Sequence, residues 1–289
     1  MNIGFSLLLW TGHVDRTHWP ILRALKGAGY DGAEIPVTSL TMAECTDLAR
    51  VMADIGLQAT ASGGIPDQAR NPVSADAVQA QAGIDHLKSL VDRAVAIGAA
   101  TLIGPFHQPL GQFSGQGISP AEWDRLVNAH QQMADHAGSA LTLSVEPLNR
   151  FECYALNTTT QAAALVAAVG RANYGYLYDT FHANIEERDP IGAITATAQA
   201  INYVHISEND RGVPGLGHID FAGTFAALKS SGYDGWLTVE AFGQALPDLA
   251  AATRIWRPLF DTEIQVYQDA ITLIRHGWAA ASQSGGTSP

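Results

Sequence analysis

Leu141-Thr-Leu-Ser-Val-Glu-Pro147 and Tyr174-Gly-Tyr-Leu-Tyr-Asp179 are two short apolar runs, each closing on one acid, with an Ala-rich stretch of helical period between them at 159–169. Runs this short, apolar throughout and rich in β-branched and aromatic residues, fit strands buried on both faces. A helix linking two of them makes a β-α-β unit with parallel strands. The same pairing recurs along the whole chain. Strands are predicted at 3–8, 32–37, 58–62, 101–105, 141–147, 174–179, 203–207 and 236–241, and helices at 19–28, 42–55, 75–97, 120–136, 159–169, 190–200, 221–230 and 262–280. Eight β-α units in 289 residues predict a single-domain (β/α)8 TIM barrel, an α/β fold, over 1–281. The competing doubly wound sheet is disfavoured, because no strand is followed by a Gly-x-Gly-x-x-Gly turn or a phosphate-binding Gly-x-x-x-x-Gly-Lys-Ser/Thr loop. Gly215 and Gly217 suggest only a flexible turn. The tail at 282–289, Ser-Gln-Ser-Gly-Gly-Thr-Ser-Pro, has a disordered composition.

Composition narrows the function. Hydrophobic residues make up 47% of the chain, enough for a large core. The 16 basic residues against 28 acidic ones leave a net charge of −12, which repels phosphate backbones and anionic membranes, so nucleic acid and membrane are not expected partners. Two cysteines, Cys45 and Cys153, are too few for a disulfide framework. The N-terminal apolar run lacks a preceding basic stretch and a following cleavage site, and no apolar run reaches the roughly 18 residues a membrane helix needs. A cytoplasmic protein is the expectation.

In a barrel of this kind chemistry gathers at the carboxyl ends of the strands. The last four predicted strands end at or beside Glu146, Asp179, His205 and Glu240, separated by 33, 26 and 35 residues, about one β-α unit each. Four such side chains converge on one point at the barrel mouth. Three carboxylates and an imidazole crowded there raise one another's pKa, and a bound divalent cation resolves the conflict. Mostly oxygen with one nitrogen suits Mn²⁺, Mg²⁺ or Co²⁺ better than a thiolate-seeking ion, with zinc less favoured.

The segments Glu146-Pro-Leu-Asn-Arg-Phe-Glu152, Asp179-Thr-Phe-His182-Ala-Asn-Ile-Glu-Glu187 and His205-Ile-Ser-Glu-Asn-Asp-Arg211, placed in loops above the barrel, carry a specific resemblance. The chain resembles, from residue 1 to about 274, the ketose 3-epimerases (the D-tagatose and D-allulose 3-epimerase family) among the xylose-isomerase-like barrels. The resemblance implies that Glu146, Asp179, His205 and Glu240 are the metal ligands and that Glu146 and Glu240 are also the acid/base pair. It implies that Glu152, His182 and Arg211 hold sugar oxygens, and that the protein is a homodimer or homotetramer. The implied activity is epimerisation of a free ketose of D-tagatose, D-allulose/D-fructose or L-ribulose type at carbon 3, by two-glutamate proton exchange through an enediolate stabilised by the metal.

Some positions depart from the family. Ser6 stands where an aromatic ring is common, Ser62 where cysteine occurs, and the loop from Pro105 lacks an expected tryptophan, so the far end of the substrate differs. Glu34, ending the second strand, is expected to be a buried partner for a basic residue, with substrate contact the other reading. Trp123 and Trp256 are expected to pack at helical positions, and His107 and His218 carry no assigned role. Rival activities on the same barrel are an aldose–ketose isomerase of hydroxypyruvate isomerase type and a keto-sugar lyase or dehydratase. A phosphodiester-cleaving endonuclease is disfavoured by the charge, and a non-catalytic sugar-binding protein by the presence of both glutamates.

Overall fold

The computed structural model describes residues 1–281; the predicted tail at 282–289 lies outside the described residues. Eight strands, β1 (Asn2–Ser6), β2 (Gly32–Pro36), β3 (Gln58–Ser62), β4 (Thr101–Gly104), β5 (Thr142–Val145), β6 (Tyr174–Asp179), β7 (Ile201–Ile206) and β8 (Trp236–Val239), form a closed barrel in sequence order. Every neighbouring pair is parallel, and β1 closes on β8 through Asn2 opposite Trp236. The predicted α/β barrel is the observed one.

The outer layer consists of α1 (Trp19–Ala28), α2 (Met42–Ile55), α3 (Ala77–Ala96), α4 (Pro120–Ala137), α5 (Thr159–Val169), α6 (Thr180–Glu186), α7 (Pro190–Thr197), α8 (Phe221–Ser230), α9 (Pro247–Thr253) and α10 (Glu263–Ala280). Local chemistry starts these helices where they start. Reciprocal caps join Thr41 to Glu44, Ser119 to Glu122 and Thr158 to Gln161, satisfying backbone N–H groups that the first helical turn leaves open. The helices lay apolar stripes on the strands, and buried residues such as Leu22, Leu48, Leu87, Leu126, Leu165 and Phe225 join one continuous core with the outward faces of the barrel.

Inside the barrel, Ile103, Leu177, Tyr203 and Trp236 fill the space beneath the mouth. The Tyr203 hydroxyl lies 2.9 Å from the Thr60 hydroxyl and 2.7 Å from that of Thr238, tying β3, β7 and β8 into a fixed floor. Gly104 ends β4 at φ 143°, and a Cβ there would collide with the Gly63 carbonyl oxygen, so only glycine allows the two loops to meet.

The segment after Asp179 and the placement of Trp256 depart from the expectations. The segment after Asp179 is a helix, α6, rather than a loop, because one Asp179 carboxylate oxygen (Oδ1) accepts from the Phe181 backbone N–H at 2.8 Å and caps it. Trp256 lies outside any helix and is 70% exposed, whereas Trp123 packs from α4 against the core as expected. Among the described residues no helix is long and apolar enough to cross a membrane.

Candidate active site

The strand register brings the four strand-end side chains together. Asp179 and His205 are direct partners across β6 and β7. The Glu146 backbone N–H donates to the Gly104 carbonyl at 2.9 Å and that of Glu240 to the Ile206 carbonyl at 3.2 Å, which continues the ladder one residue past β5 and β8. One ligand atom from each of Glu146, Asp179, His205 and Glu240 then falls within 4.8 Å of the others, and all four residues are buried. His205 Nδ1 lies 3.5 Å from Glu240 Oε1 and 3.8 Å from Glu146 Oε1.

Glu146 Oε1, Asp179 Oδ2 and His205 Nδ1 are buried without a hydrogen-bond partner. Leaving such atoms unpaired costs about 1–3 kcal/mol each, more for charged groups. With an oxygen of Glu240 beside them, three oxygen donors and one nitrogen converge, the donor set of a hard or borderline divalent cation. Asp179 divides its carboxylate between two tasks, with Oδ1 capping α6 and Oδ2 turned to the cluster.

Electrostatics follow from crowding in a dry site. Burial, reinforced by Glu240, pushes the Glu146 carboxyl well above its ordinary value. Burial likewise raises Glu240 to about 7 and raises Asp179, against the pull of His205 in both cases. For His205, burial works against the charged ring, but Glu34 and then Glu240 outweigh it and hold the imidazole well above its usual range. The predicted conflict among the carboxylates is present in the structure.

Above the cluster is an open cavity of about 200 Å³ whose lining includes Glu34, Ser62, Glu146, Glu152, His182, Arg211 and Glu240. His182, on α6, accepts at Nδ1 from the Asn149 backbone N–H at 2.9 Å. Its Nε2 lies 3.3 Å from Arg211 Nη2, 3.6 Å from Asp179 Oδ2 and 3.8 Å from Glu146 Oε1. Burial, then Arg211, pushes the His182 pKa well below its usual value and keeps the ring neutral. Arg211 is buried and donates to Glu152 Oε1 at 2.8 Å and Oε2 at 3.4 Å. Its guanidinium lies 4.0 Å from the Phe181 ring centre and 4.9 Å from that of Phe242.

Arg211 adopts left-handed backbone, φ 64°, rare for a residue with a side chain. The loop holds it there: its N–H donates to the Glu208 carbonyl, and its carbonyl accepts from Phe242, both at 2.9 Å. The buried Glu208 carboxylate accepts backbone N–H bonds from Asn209, Gly215 and Ile219, so the glycine pair belongs to a fastened turn rather than a free one.

Three features lay outside the sequence reading or were left open by it. Phe181 and Phe242 both pack against the Arg211 guanidinium, and the only signal was the position of Phe181 beside His182. Glu34 is the buried partner of a basic residue, and that residue is His205, with Oε2 2.9 Å from Nε2. His107 is buried with Nε2 3.0 Å from the Glu146 carbonyl, fastening the loop after β4 to the end of β5. His218 stays apart, beside Thr180 and Asn184 in a separate side cavity. Ser62 lines the main cavity, while Ser6 is buried outside its lining.

The described geometry agrees with comparisons across known proteins. The model of the xylose isomerase-like TIM barrel family matches residues 22–266. A ketose 3-epimerase of Arthrobacter globiformis is 34% identical over 282 residues, covering 95% of this chain and 96% of its own. A solved L-ribulose 3-epimerase superposes with a TM-score of 0.92 at 31% identity, covering 100% of this chain and 99% of that one. A D-allulose 3-epimerase from Methylomonas sp., solved in complex with D-allulose, superposes at 0.89 with 30% identity and 96% coverage of both chains. A closed barrel whose last four strands deliver three acids and a histidine to one buried point, matched end to end by these relatives, belongs to the ketose 3-epimerase family of xylose isomerase-like TIM barrels, and the chain is an enzyme of the isomerase class.

Proposed function

We propose that this protein interconverts free ketoses of D-tagatose, D-allulose/D-fructose or L-ribulose type with their carbon-3 epimers. In this reading Glu146, Asp179, His205 and Glu240 hold one divalent cation, Mn²⁺ by preference with Mg²⁺ or Co²⁺ as substitutes. The observation that carries it is the convergence of unpartnered ligand atoms on one buried point beside the cavity. When bound, such a cation supplies Lewis-acid stabilisation of negative charge on adjacent sugar oxygens.

The chain's own residues account for the inversion. Glu146 and Glu240 both line the cavity and come from strands three apart in the closed barrel. One glutamate takes the carbon-3 proton and the other delivers a proton to the opposite face. A single base cannot do this directly. Positioned acid/base groups of this kind typically contribute ~10² to 10⁴-fold each. His182 and the Arg211 guanidinium hold sugar oxygens, and Glu152, oriented by Arg211 and by Asn149 at 3.0 Å, accepts from a sugar hydroxyl. A cytoplasmic homodimer or homotetramer completes the proposal.

Metal-loaded protein incubated with a panel of ketoses, with products separated by chromatography, tests the reading. The carbon-3 epimer is expected as the main product. An aldose, a dehydrated sugar or a cleaved fragment in its place would assign the site to an isomerase or lyase.

A further inference from the structure

We propose that Glu34 is a positioning residue for His205, fixing the imidazole tautomer and ring angle that leave Nδ1 free to bind a divalent cation. The inference rests on the reading of the cluster as a metal site and extends it to a residue outside the quartet. Glu34 sits in the middle of β2 and His205 near the end of β7, so their 2.9 Å contact reaches between strands that are not neighbours in the barrel and are 171 residues apart in the chain. Both side chains are fully buried.

A neutral imidazole carries its proton on one nitrogen and a lone pair on the other. A carboxylate oxygen accepts, so Glu34 Oε2 at 2.9 Å holds a proton on Nε2, and the ring that takes up a cation offers its lone pair at Nδ1. Nδ1 is the nitrogen that faces Glu146 and Glu240 and has no hydrogen-bond partner. The Tyr203 ring packs against the imidazole at 5.7 Å and 71°, which restrains the ring from the barrel floor. Glu34 Oε1 has no partner, so packing alone leaves a buried acid half satisfied. Carboxylate–histidine–metal relays of this form set ligand orientation, and their loss typically costs roughly 10- to 100-fold in metal affinity.

Mn²⁺ affinity measured by calorimetry at one fixed pH, on wild type, Glu34→Ala and Glu34→Gln, tests the proposal. Glu34→Ala is expected to weaken Mn²⁺ binding by roughly 10- to 100-fold. Glu34→Gln is expected to recover much of the loss, since its amide oxygen still accepts from Nε2–H, and it keeps the test open if the alanine variant does not fold. Nitrogen-15 spectra of the Zn²⁺-loaded proteins, with the His205 signals identified by their absence in His205→Asn, are expected to place the proton on Nε2 in wild type and Glu34→Gln. Thermal unfolding of the metal-free proteins separates a packing defect, which lowers stability without moving affinity or tautomer. Wild type and Glu34→Ala binding Mn²⁺ within twofold of each other, or a His205 proton on Nδ1 in loaded wild type, would overturn the inference and spare the metal site. Failure of wild type itself to bind Mn²⁺ or Zn²⁺ would overturn both.

Discussion

Replacing Arg211 with methionine removes a buried charge while keeping the unbranched stem. The Arg211 side chain is 3% exposed, pairs with Glu152 through contacts of 2.8 and 3.4 Å, and lies against two phenylalanine rings. Breaking a buried ion pair by deleting one partner costs about 3–5 kcal/mol, because the surviving charge is left uncompensated. The Glu152 side chain is 12% exposed, so some water reaches it and the lower end, about 3 kcal/mol, applies. Methionine refills the space beside the rings, so loss of the cation–π contact adds little. At about 2–4 °C per kcal/mol for a domain of this size, Arg211→Met should melt roughly 6–12 °C below wild type. It should also lose sugar turnover while keeping its metal, because the guanidinium touches no atom of the quartet's ligand set. Urea unfolding with calorimetry, a ketose turnover assay and elemental analysis measure all three. Adding Glu152→Gln removes the stranded charge, so the double variant should be less destabilised than the sum of the singles. A single variant within about 1 kcal/mol of wild type, with strictly additive effects, would refute the reasoning; metal loss as complete as in Asp179→Asn would move Arg211 into the metal shell.

Chelation should abolish turnover and lower stability by about 3–4 kcal/mol relative to protein held at 100 to 1,000 times the metal Kd, with Mn²⁺ restoring both. Unchanged melting and turnover in a sample shown to be metal-free by elemental analysis would contradict the metal site. His130 is fully buried against Phe106 and Tyr174, and burial pushes its pKa down to about 4. Its ring stays neutral in the fold while the unfolded chain takes up a proton below about 6.5, so this part of the stability is complete above 6.5 and is lost as pH falls towards 4. The loss is on the order of 3 kcal/mol. His130→Gln should therefore show a flatter decline in stability over that window, and an identical pH slope would refute the assignment. Gly104→Ala forces a Cβ onto the Gly63 carbonyl at φ 143° and should cost about 1–3 kcal/mol or more; a variant as stable as wild type would show that the β3 and β4 loops yield.

The barrel was legible because short, mostly apolar runs alternate with Ala-rich helical stretches along the whole chain, and β3 and β6 begin and end where expected. Strand β7 starts at Ile201, two residues before the apolar text suggests, because the polar Asn202 is satisfied inside the barrel wall by donating to the Leu143 carbonyl at 2.9 Å. Helices α6 and α9 are seven residues each, too short to show a 3.6-residue period, and α6 exists because Asp179 both ends a strand and caps a helix. The convergence of Glu146, Asp179, His205 and Glu240 was legible because one rule, an acid or histidine at or beside a strand end, applies in each of the last four units. The Glu34–His205 bond and the clamp of Phe181 and Phe242 on Arg211 join units far apart in the chain, and neither spacing nor residue type announces such a pairing.

The claim that two glutamates invert carbon 3 is tested most directly by isotope. In deuterated water with D-fructose as substrate, the account predicts deuterium at carbon 3 of the epimer, and a loss of epimerisation on the order of 10² to 10⁴-fold or more in each of Glu146→Gln and Glu240→Gln. An aldose or a dehydrated sugar as the main product, with carbon 3 carrying no solvent deuterium, would contradict it.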